Sequence, residues 1–319
     1  HRDQGGPYVN IPLSRQIADL KNIFGTAPNT VVYRALGDGM ETGYGNDVLQ
    51  LQSAGIIPIV MVATYPPWKR FANEATAFSW AYASVSRSVR SAPTNQVWEI
   101  GNEWILQAIW EQRSGNESDL SIVGWKSAPA YRLYRGVMAG AVAAVRDEGL
   151  PSSQILGSVL AGWTFQNLAR ALAEDLTNYR GRDLTWDFTV EHWYNDAKPE
   201  GNNMGPPDDF NGGASMYELQ KATGKPLFFT EFGSSNGDNE SRNATAGSYI
   251  TGLMTNFSAH QPATASESGV LGGTIYMLYQ MPGVQTDYFL YNYSGGSTAT
   301  LSAQGEAVKR WIASHRHGN

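Results

Sequence analysis

The sequence contains no cysteine, which excludes disulfides, thiolate metal sites and a cysteine nucleophile. Histidine is also scarce, because only five are present and three of them (His1, His315 and His317) lie near the chain ends. A histidine-rich metal centre is therefore not expected, and we predict neither a metal nor a cofactor. No G-x-G-x-x-G or G-x-x-x-x-G-K-[ST] motif follows an apolar run, so the main dinucleotide and phosphate sites are not expected.

Charged residues are few, at 16% of the chain, and the net charge is -6 from 23 basic and 29 acidic side chains. No Lys/Arg cluster is present that would neutralise a phosphate backbone, so nucleic acid is not an expected partner. No apolar run approaches the roughly 18 residues that cross a bilayer, so no membrane partner is expected. With 42% hydrophobic residues the chain has ample material for a core, and we predict a monomer.

The first residue and the glycosylation triplets favour an extracellular protein. The sequence begins with His1 and not with Met, as a processed secreted protein or a shortened piece would. Five Asn-x-Ser/Thr triplets fit a glycoprotein, although a chain rich in Asn, Ser and Thr also forms them by chance. They begin at Asn116, Asn239, Asn243, Asn256 and Asn292. We therefore predict a secreted glycoprotein.

Aromatic side chains are abundant, with ten Trp and sixteen Tyr. Their amphipathic rings suit flat ligands with apolar faces and polar rims, and pyranose sugars are ligands of that kind. Generous aromatic packing in a large core explains the same composition equally well. A carbohydrate is therefore a candidate ligand on composition alone.

Short apolar runs alternate with longer amphipathic ones, which predicts strands separated by helices. Eight such units in 319 residues without a break in composition predict an α/β fold, a single (β/α)8 TIM barrel that spans residues 1–319. Long segments at 104–126, 196–211 and 281–300 follow strands and would lie on the C-terminal rim. The predicted strands are 8–13 (weakly marked), 30–37, 56–63, 96–103, 154–162, 186–195, 225–233 and 270–280.

Two glutamates end predicted strands on nearly opposite walls of this barrel. Glu103 ends the fourth, in VWEIGNEW, and Glu231 ends the seventh, in FFTEFG. Polar residues at the carboxyl ends of barrel strands face the mouth. Two carboxyl groups held across a mouth fit glycoside hydrolysis, with retention at a gap of about 5 to 5.5 Å and inversion at a wider one. A lone glutamate there is more often an ion-pair partner or a helix cap.

The GNE that closes strand four and the TEFG that closes strand seven resemble the signature of the clan A glycoside hydrolases, the retaining (β/α)8 glycosidases. The resemblance implies Glu103 as general acid/base and Glu231 as nucleophile, with Asn102 donating a hydrogen bond to the 2-hydroxyl of the sugar. DFTVEHWYN resembles the sixth strand of this clan, which implies that His192 and Tyr194 lie beside the nucleophile. Within the clan it resembles the family of β-xylosidases and α-L-iduronidases and its polysaccharide-cleaving relatives.

Arg34 and strand eight also bear on the resemblance, and both Arg34 and His192 have a structural alternative. Arg34 resembles a basic residue near the nucleophile, but it could equally pair with Glu99 inside the barrel. His192 could instead be a satisfied core histidine, and Tyr194 could also have a purely structural role. On strand eight the clan places an aromatic side chain, usually Trp, under the bound sugar, whereas this chain offers Tyr279 and Gln280, with Tyr276 before them.

Tryptophans near strand ends are candidates to stack on sugar rings, and core packing is the alternative for each. They are Trp68, Trp104, Trp163 and Trp193.

The residues together predict a secreted retaining O-glycosidase that cleaves a β-linked polysaccharide with two glutamates. The aromatic excess favours several sugar subsites and therefore endo-acting cleavage, with β-glucan as the first expected substrate and xylan the next. One alternative is an exo-acting β-glycosidase such as a β-xylosidase, since long rim loops could close the cleft into a pocket. Others are a non-catalytic carbohydrate-binding barrel and, more remotely, a metal-dependent barrel hydrolase.

Overall fold

A computed structural model describes residues 7–36, 44–62, 65–104, 120–157, 166–195, 217, 223–234, 240–261, 269–280 and 289–315. Within these ranges the chain forms parallel strands that alternate with helices. The strands are β1 Val31–Leu36, β2 Ile56–Val62, β3 Val97–Ile100, β4 Gln154–Gly157, β5 Phe188–Asn195, β6 Leu227–Ser234, β7 Val270–Ile275, β8 Tyr291–Gly295 and β9 Thr298–Leu301. The helices are α1 Pro7–Asn10, α2 Leu13–Phe24, α3 Tyr44–Ser53, α4 Glu74–Ser91, α5 Ile122–Ser127, α6 Pro129–Glu148, α7 Gln166–Leu176, α8 Glu240–Ala259 and α9 Ala303–His315.

Strands β1 to β7 form one parallel sheet in sequence order. Sequential parallel strands with intervening helices are the arrangement of an α/β barrel, so the predicted fold class is confirmed. All the carboxyl ends of these strands lie at one mouth. Strands β8 and β9 form a separate antiparallel hairpin, which begins inside the segment 281–300 that the sequence assigned to the rim and ends at Leu301.

The prediction of a first strand at residues 8–13 is wrong. The segment contains α1 and the first residue of α2, and Pro12 precedes α2 directly. The side-chain amide of Gln16 donates to the backbone carbonyls of Tyr8 and Ile11, at 3.2 and 2.7 Å. These carbonyls therefore have a local hydrogen-bond donor and need no neighbouring strand.

The barrel is nearly closed. Among the described residues β7 and β1 lie side by side, but no ladder of backbone hydrogen bonds joins them. An apolar cavity of about 100 Å³ lies in this seam. Its lining includes Leu20, Phe24, Val31, Ile275 and Leu290. Side-chain packing, and not strand pairing, closes this part of the wall.

Helices α4 and α6 form the tightest helix pair of the outer layer. Asn73 and Thr76 make a capping box that fixes the start of α4. Gly136 of α6 lies against this helix, because a Cβ atom added there would be 2.5 Å from the backbone oxygen of Glu74. Small residues therefore bring the two helices close enough to cover the sheet. None of the helices within the described ranges is long and apolar enough to cross a membrane.

The barrel interior changes from apolar to charged towards the mouth. Ile59, Leu156 and Val190 pack together inside the sheet. Val32 and Val97 pack against this cluster, and two positions further along the same strands Arg34 and Glu99 lie in the interior with no exposed surface. The apolar layer therefore forms a floor beneath a charged layer at the mouth.

Candidate active site

The turn after β3 directs Asn102 and Glu103 away from the sheet. Gly101 has φ of +85°, and a Cβ atom there would lie 2.6 Å from Cδ2 of Trp104. Glycine is therefore required on both conformational and steric grounds. Glu103 also has a positive φ, of +50°, which costs a non-glycine residue about 1 kcal/mol or more. Strain of this kind is characteristic of functional sites.

Arg34 on β1 joins the ends of two other strands. Its Nε atom donates to Oε2 of Glu99, and its Nη2 atom donates to Oε1 of Glu99 at 2.9 Å. Its Nη1 atom donates to Oε1 of Glu231 at 2.5 Å, and Nη2 also donates to Oδ1 of Asn102 at 2.9 Å. Arg34 is therefore both a partner of Glu99 and a neighbour of the predicted nucleophile, so the two predictions for it do not exclude each other. Since Oδ1 of Asn102 accepts from Arg34, its NH2 group is the donor that a sugar hydroxyl would meet.

His192 on β5 lies between the two glutamates. Its Nδ1 atom is 2.9 Å from Oε1 of Glu103 and 3.7 Å from Oε2 of Glu231. Its Nε2 atom is 3.2 Å from the hydroxyl of Thr230. The side chain is 1% exposed, so each ring nitrogen is committed to a protein group.

A β-bulge brings two consecutive residues of β6 into the interior. His192 pairs with Glu231 while the preceding residue of β5 pairs with Phe229, so Thr230 has no partner in the register. The Thr230 hydroxyl donates to Oε1 of Glu99 at 2.8 Å, and Thr274 of β7 donates to the Thr230 carbonyl. Bulges next to active sites commonly re-aim side chains in this way.

Burial and nearby carboxylates act in opposite directions on the cations of the site. Burial lowers the pKa of Arg34, but Glu99 and Glu231 raise it by more, so the net pKa is raised. Burial also lowers the pKa of His192, while Glu231 and the hydrogen bond with Glu103 raise it to a net increase. A charged His192 therefore stabilises the fold at low pH, and this stability is lost as the pH rises through the folded pKa.

Glu191 is a fully buried carboxyl group beside this cluster. Its Oε1 atom accepts from the backbone N–H of His192 at 3.0 Å, and its Oε2 atom has no hydrogen-bond partner within the described part of the chain. Burial raises the pKa of Glu191 well above its usual range, and the charge of Glu103 adds to this, against the lowering effect of the hydrogen bond. Burial therefore favours the neutral form of this carboxyl group.

The two candidate catalytic carboxylates share one contact, the Nδ1 atom of His192. Oε1 of Glu103 and Oε2 of Glu231 are therefore separated by no more than the sum of 2.9 and 3.7 Å. This upper limit includes the spacing of about 5 to 5.5 Å in retaining glycosidases and excludes most of the range of about 6.5 to 9.5 Å in inverting ones. Glu103 is 39% exposed and Glu231 12%, so Glu231 is the deeper of the two.

The structure brings together five of the predicted site residues and places three tryptophans elsewhere. The five are Arg34, Asn102, Glu103, His192 and Glu231. Trp68, Trp104 and Trp193 are at most 1% exposed and belong to the core clusters between sheet and helices. Stacking of a sugar on these rings stays a prediction, and it requires that a ring face now covered by the core become exposed.

The remaining predicted residues lie outside the cluster or outside the described part of the chain. Tyr279 is buried against the N-terminal helices, and its hydroxyl donates to Asp19 at 2.7 Å. Gln280 donates its backbone N–H to the carbonyl of Tyr291. Tyr194 is described only for its backbone, and Trp163 lies outside the described residues.

Thr230 and Glu191 were not among the site residues predicted from the sequence. Alternation of inward and outward residues along β6 places only one of Thr230 and Glu231 inside, and the bulge that admits both leaves no mark in the sequence. Glu191 had a readable signal, since a carboxyl group inside an apolar strand is rarely buried without a reason.

Replacing Arg34 with methionine is expected to destabilise the fold by about 3 to 5 kcal/mol, because Glu99 and Glu231 lose their buried counter-charge. Urea denaturation at pH 7 measures this free energy. Arg135→Met is the matched control, since Arg135 pairs with Glu74 and Asp175 and is 25% exposed, and its loss should cost about 1 kcal/mol or less. Equal losses in the two variants would contradict a buried structural charge at Arg34.

No cluster of three or more His, Cys, Asp or Glu side chains that could hold a metal ion occurs within the described ranges.

No protein-family model and no curated protein match the sequence. Solved structures match it over nearly its whole length. A double mutant of the β-glucosidase from Trichoderma harzianum has a TM-score of 0.61 at 14% identity, covering 95% of this chain and 87% of its own. A family 1 β-glucosidase from the fungus Humicola insolens in complex with glucose has 0.60 at 15%, covering 95% and 87%. The β-glucosidase from Thermotoga maritima in complex with deoxynojirimycin has 0.59 at 12%, covering 94% and 86%. The chain therefore has the (β/α)8 barrel fold of these glycosidases.

Proposed function

We propose that this chain is a retaining O-glycoside hydrolase of clan A and that its 319 residues form one catalytic domain. The observation that carries the proposal is the contact of one buried histidine with two carboxylates at the mouth of the barrel, 2.9 Å from Glu103 and 3.7 Å from Glu231. The similarity in fold to β-glucosidases agrees with this assignment. A binding module has no need of two ionisable groups held this close together.

Glu231 is the nucleophile in this proposal. Its ion pair with the buried Arg34 holds it as a carboxylate and fixes its orientation. It attacks the anomeric carbon of the sugar and forms an ester as the bond from that carbon to the leaving oxygen breaks. Glu103, which is the more exposed of the two, gives its proton to that oxygen. Water then attacks the same carbon, returns a proton to Glu103 and frees Glu231.

The substrate is proposed to be a β-linked glycan, and endo-acting cleavage of β-glucan is the leading candidate. Similar solved structures are β-glucosidases, one in complex with glucose and one in complex with deoxynojirimycin, which supports a sugar ligand. The abundance of Trp and Tyr supports several subsites. An exo-acting β-glycosidase is the second candidate, because the similar solved structures are β-glucosidases. Secretion, glycosylation and a monomeric state are part of the same proposal.

Product analysis on soluble β-glucans, xylan and aryl β-glycosides tests this function. Oligosaccharides released from one polymer would establish an endo-glycosidase and its substrate. Release of monosaccharide or aryl alcohol alone would establish the exo-acting alternative. Binding to a polymer without any turnover would contradict the proposal and favour a non-catalytic barrel.

A further inference from the structure

The Thr230 hydroxyl connects Glu99 of β3 with His192 of β5. It lies 2.8 Å from Oε1 of Glu99 and 3.2 Å from Nε2 of His192. The opposite ring nitrogen, Nδ1, lies 2.9 Å from Oε1 of Glu103. A chain of hydrogen bonds therefore runs from the buried Glu99 to the candidate acid.

The direction of these hydrogen bonds follows from the charge on Glu99. Arg34 binds both oxygens of Glu99, which keeps that group a carboxylate that can only accept. Thr230 must therefore donate its single hydroxyl proton to Glu99. Towards His192 the same oxygen can only accept, so the hydrogen of that contact is on Nε2.

We infer that Thr230 is a positioning residue that fixes the tautomer of His192. With the hydrogen held on Nε2, the neutral ring offers Nδ1 as an acceptor, and Glu103 can approach it at 2.9 Å only as a protonated acid or after giving its proton to the ring. In both states the Glu103 and His192 pair holds one extra proton. This inference rests on the proposed function, because it explains how the acid of that mechanism stays loaded.

The charges that surround His192 come from several elements. Glu231 of β6, Glu103 after β3 and Arg34 of β1 face the ring, and Glu191 accepts from its backbone N–H. Glu99 acts through Thr230. Two of these carboxylates favour an extra proton on the ring, and Arg34 opposes it. In the neutral ring the Glu103 carboxylate favours hydrogen on Nδ1, whereas the Thr230 hydroxyl favours hydrogen on Nε2.

A spectroscopic test needs no catalytic activity. The chain has only five histidines, so long-range ¹⁵N–¹H spectra of histidine-labelled protein will be simple, and the His192→Asn variant assigns the His192 signals. Above the pH at which the ring loses its extra proton, we expect the Nε2–H tautomer in the wild type and a large Nδ1–H population in Thr230→Val. An Nδ1–H tautomer in the wild type, or an unchanged pattern in Thr230→Val, would overturn the inference.

The kinetic test uses the pH dependence of kcat/KM. In Thr230→Val a neutral ring with hydrogen on Nδ1 donates to the Glu103 carboxylate and favours loss of its proton. We therefore expect the basic limb to move to lower pH by about one unit. The loss of kcat/KM in Thr230→Val should be larger for substrates with poor leaving groups than for substrates with good ones. Thr230→Ser should restore the wild-type profile, and Thr230→Ala should behave like Thr230→Val.

A matched control separates this role from simple loss of a buried hydroxyl. Thr189 of β5 is buried, and its hydroxyl accepts from Nε1 of Trp186, away from the chain of hydrogen bonds. Thr189→Val should lower the midpoint of thermal unfolding and leave the pH profile unchanged. The same shift in both valine variants would overturn the inference. Wild-type protein inactive on every glycan would instead contradict the proposed function, and the tautomer measurement would still decide the role of Thr230.

Discussion

Replacing Glu231 with glutamine is expected to lower kcat by about 10,000-fold or more while the protein stays folded. The amide keeps the size of the side chain but cannot attack the anomeric carbon to form an ester. Arg34 keeps its pairing with Glu99 and its hydrogen bond to Asn102, so the buried cation is still satisfied. Steady-state hydrolysis of the substrate found by product analysis, together with a thermal unfolding curve, measures both effects.

Glu74→Gln is the control for loss of a glutamate that pairs with an arginine. Glu74 binds Arg135 between α4 and α6, away from the mouth. Its replacement should leave kcat near the wild-type value. A second experiment identifies the nucleophile directly, because azide added to Glu231→Ala should give a glycosyl azide of inverted configuration. Retention of most of the wild-type rate in Glu231→Gln would remove Glu231 from this role.

Replacing Glu103 with alanine is expected to lower kcat by about 100- to 10,000-fold on substrates with poor leaving groups. Aryl glycosides with good leaving groups need no proton for the first step, so formation of the ester should stay fast on them. The second step then limits turnover, because no general base activates the water. Pre-steady-state measurements on an activated aryl glycoside should therefore show a burst of phenol.

Azide also tests the position of Glu103. In Glu103→Ala the small anion can occupy the space of the missing carboxylate and attack the ester without base catalysis, which should give a glycosyl azide of retained configuration. The control is Glu306→Gln, in the first turn of α9, which should show no burst and no azide product. Equal losses on activated and unactivated substrates would contradict the role of general acid.

Much of the fold can be predicted from the sequence because β1 to β7 are covered on both faces. Each strand lines the barrel on one side and packs on helices on the other, so it appears as an apolar run. The first predicted strand is wrong because six residues that include Pro12 fit a short strand and a helix start equally well. The predicted strand 96–103 ends early, at Ile100, because Gly101 adopts a positive φ.

Site residues at strand ends could be predicted from the sequence. Contacts that depend on an irregularity in the strand pairing could not. Glu103 and Glu231 follow from the parallel arrangement alone, since carboxyl ends of the strands share one mouth. The position of Trp193 could also have been inferred, because the neighbour of the inward-facing His192 must face outwards. The role of Thr230 could not, since it depends on a bulge.

The left-handed backbone at Glu103 separates the demands of stability from those of activity. Glycine or asparagine would adopt this conformation at lower cost, so the residue that best suits the turn is not the one that the chemistry requires. A lineage under selection for thermal stability alone would drift towards those residues at position 103. In the proposed mechanism turnover needs the carboxylate, so selection on turnover would keep it at this position against the conformational cost.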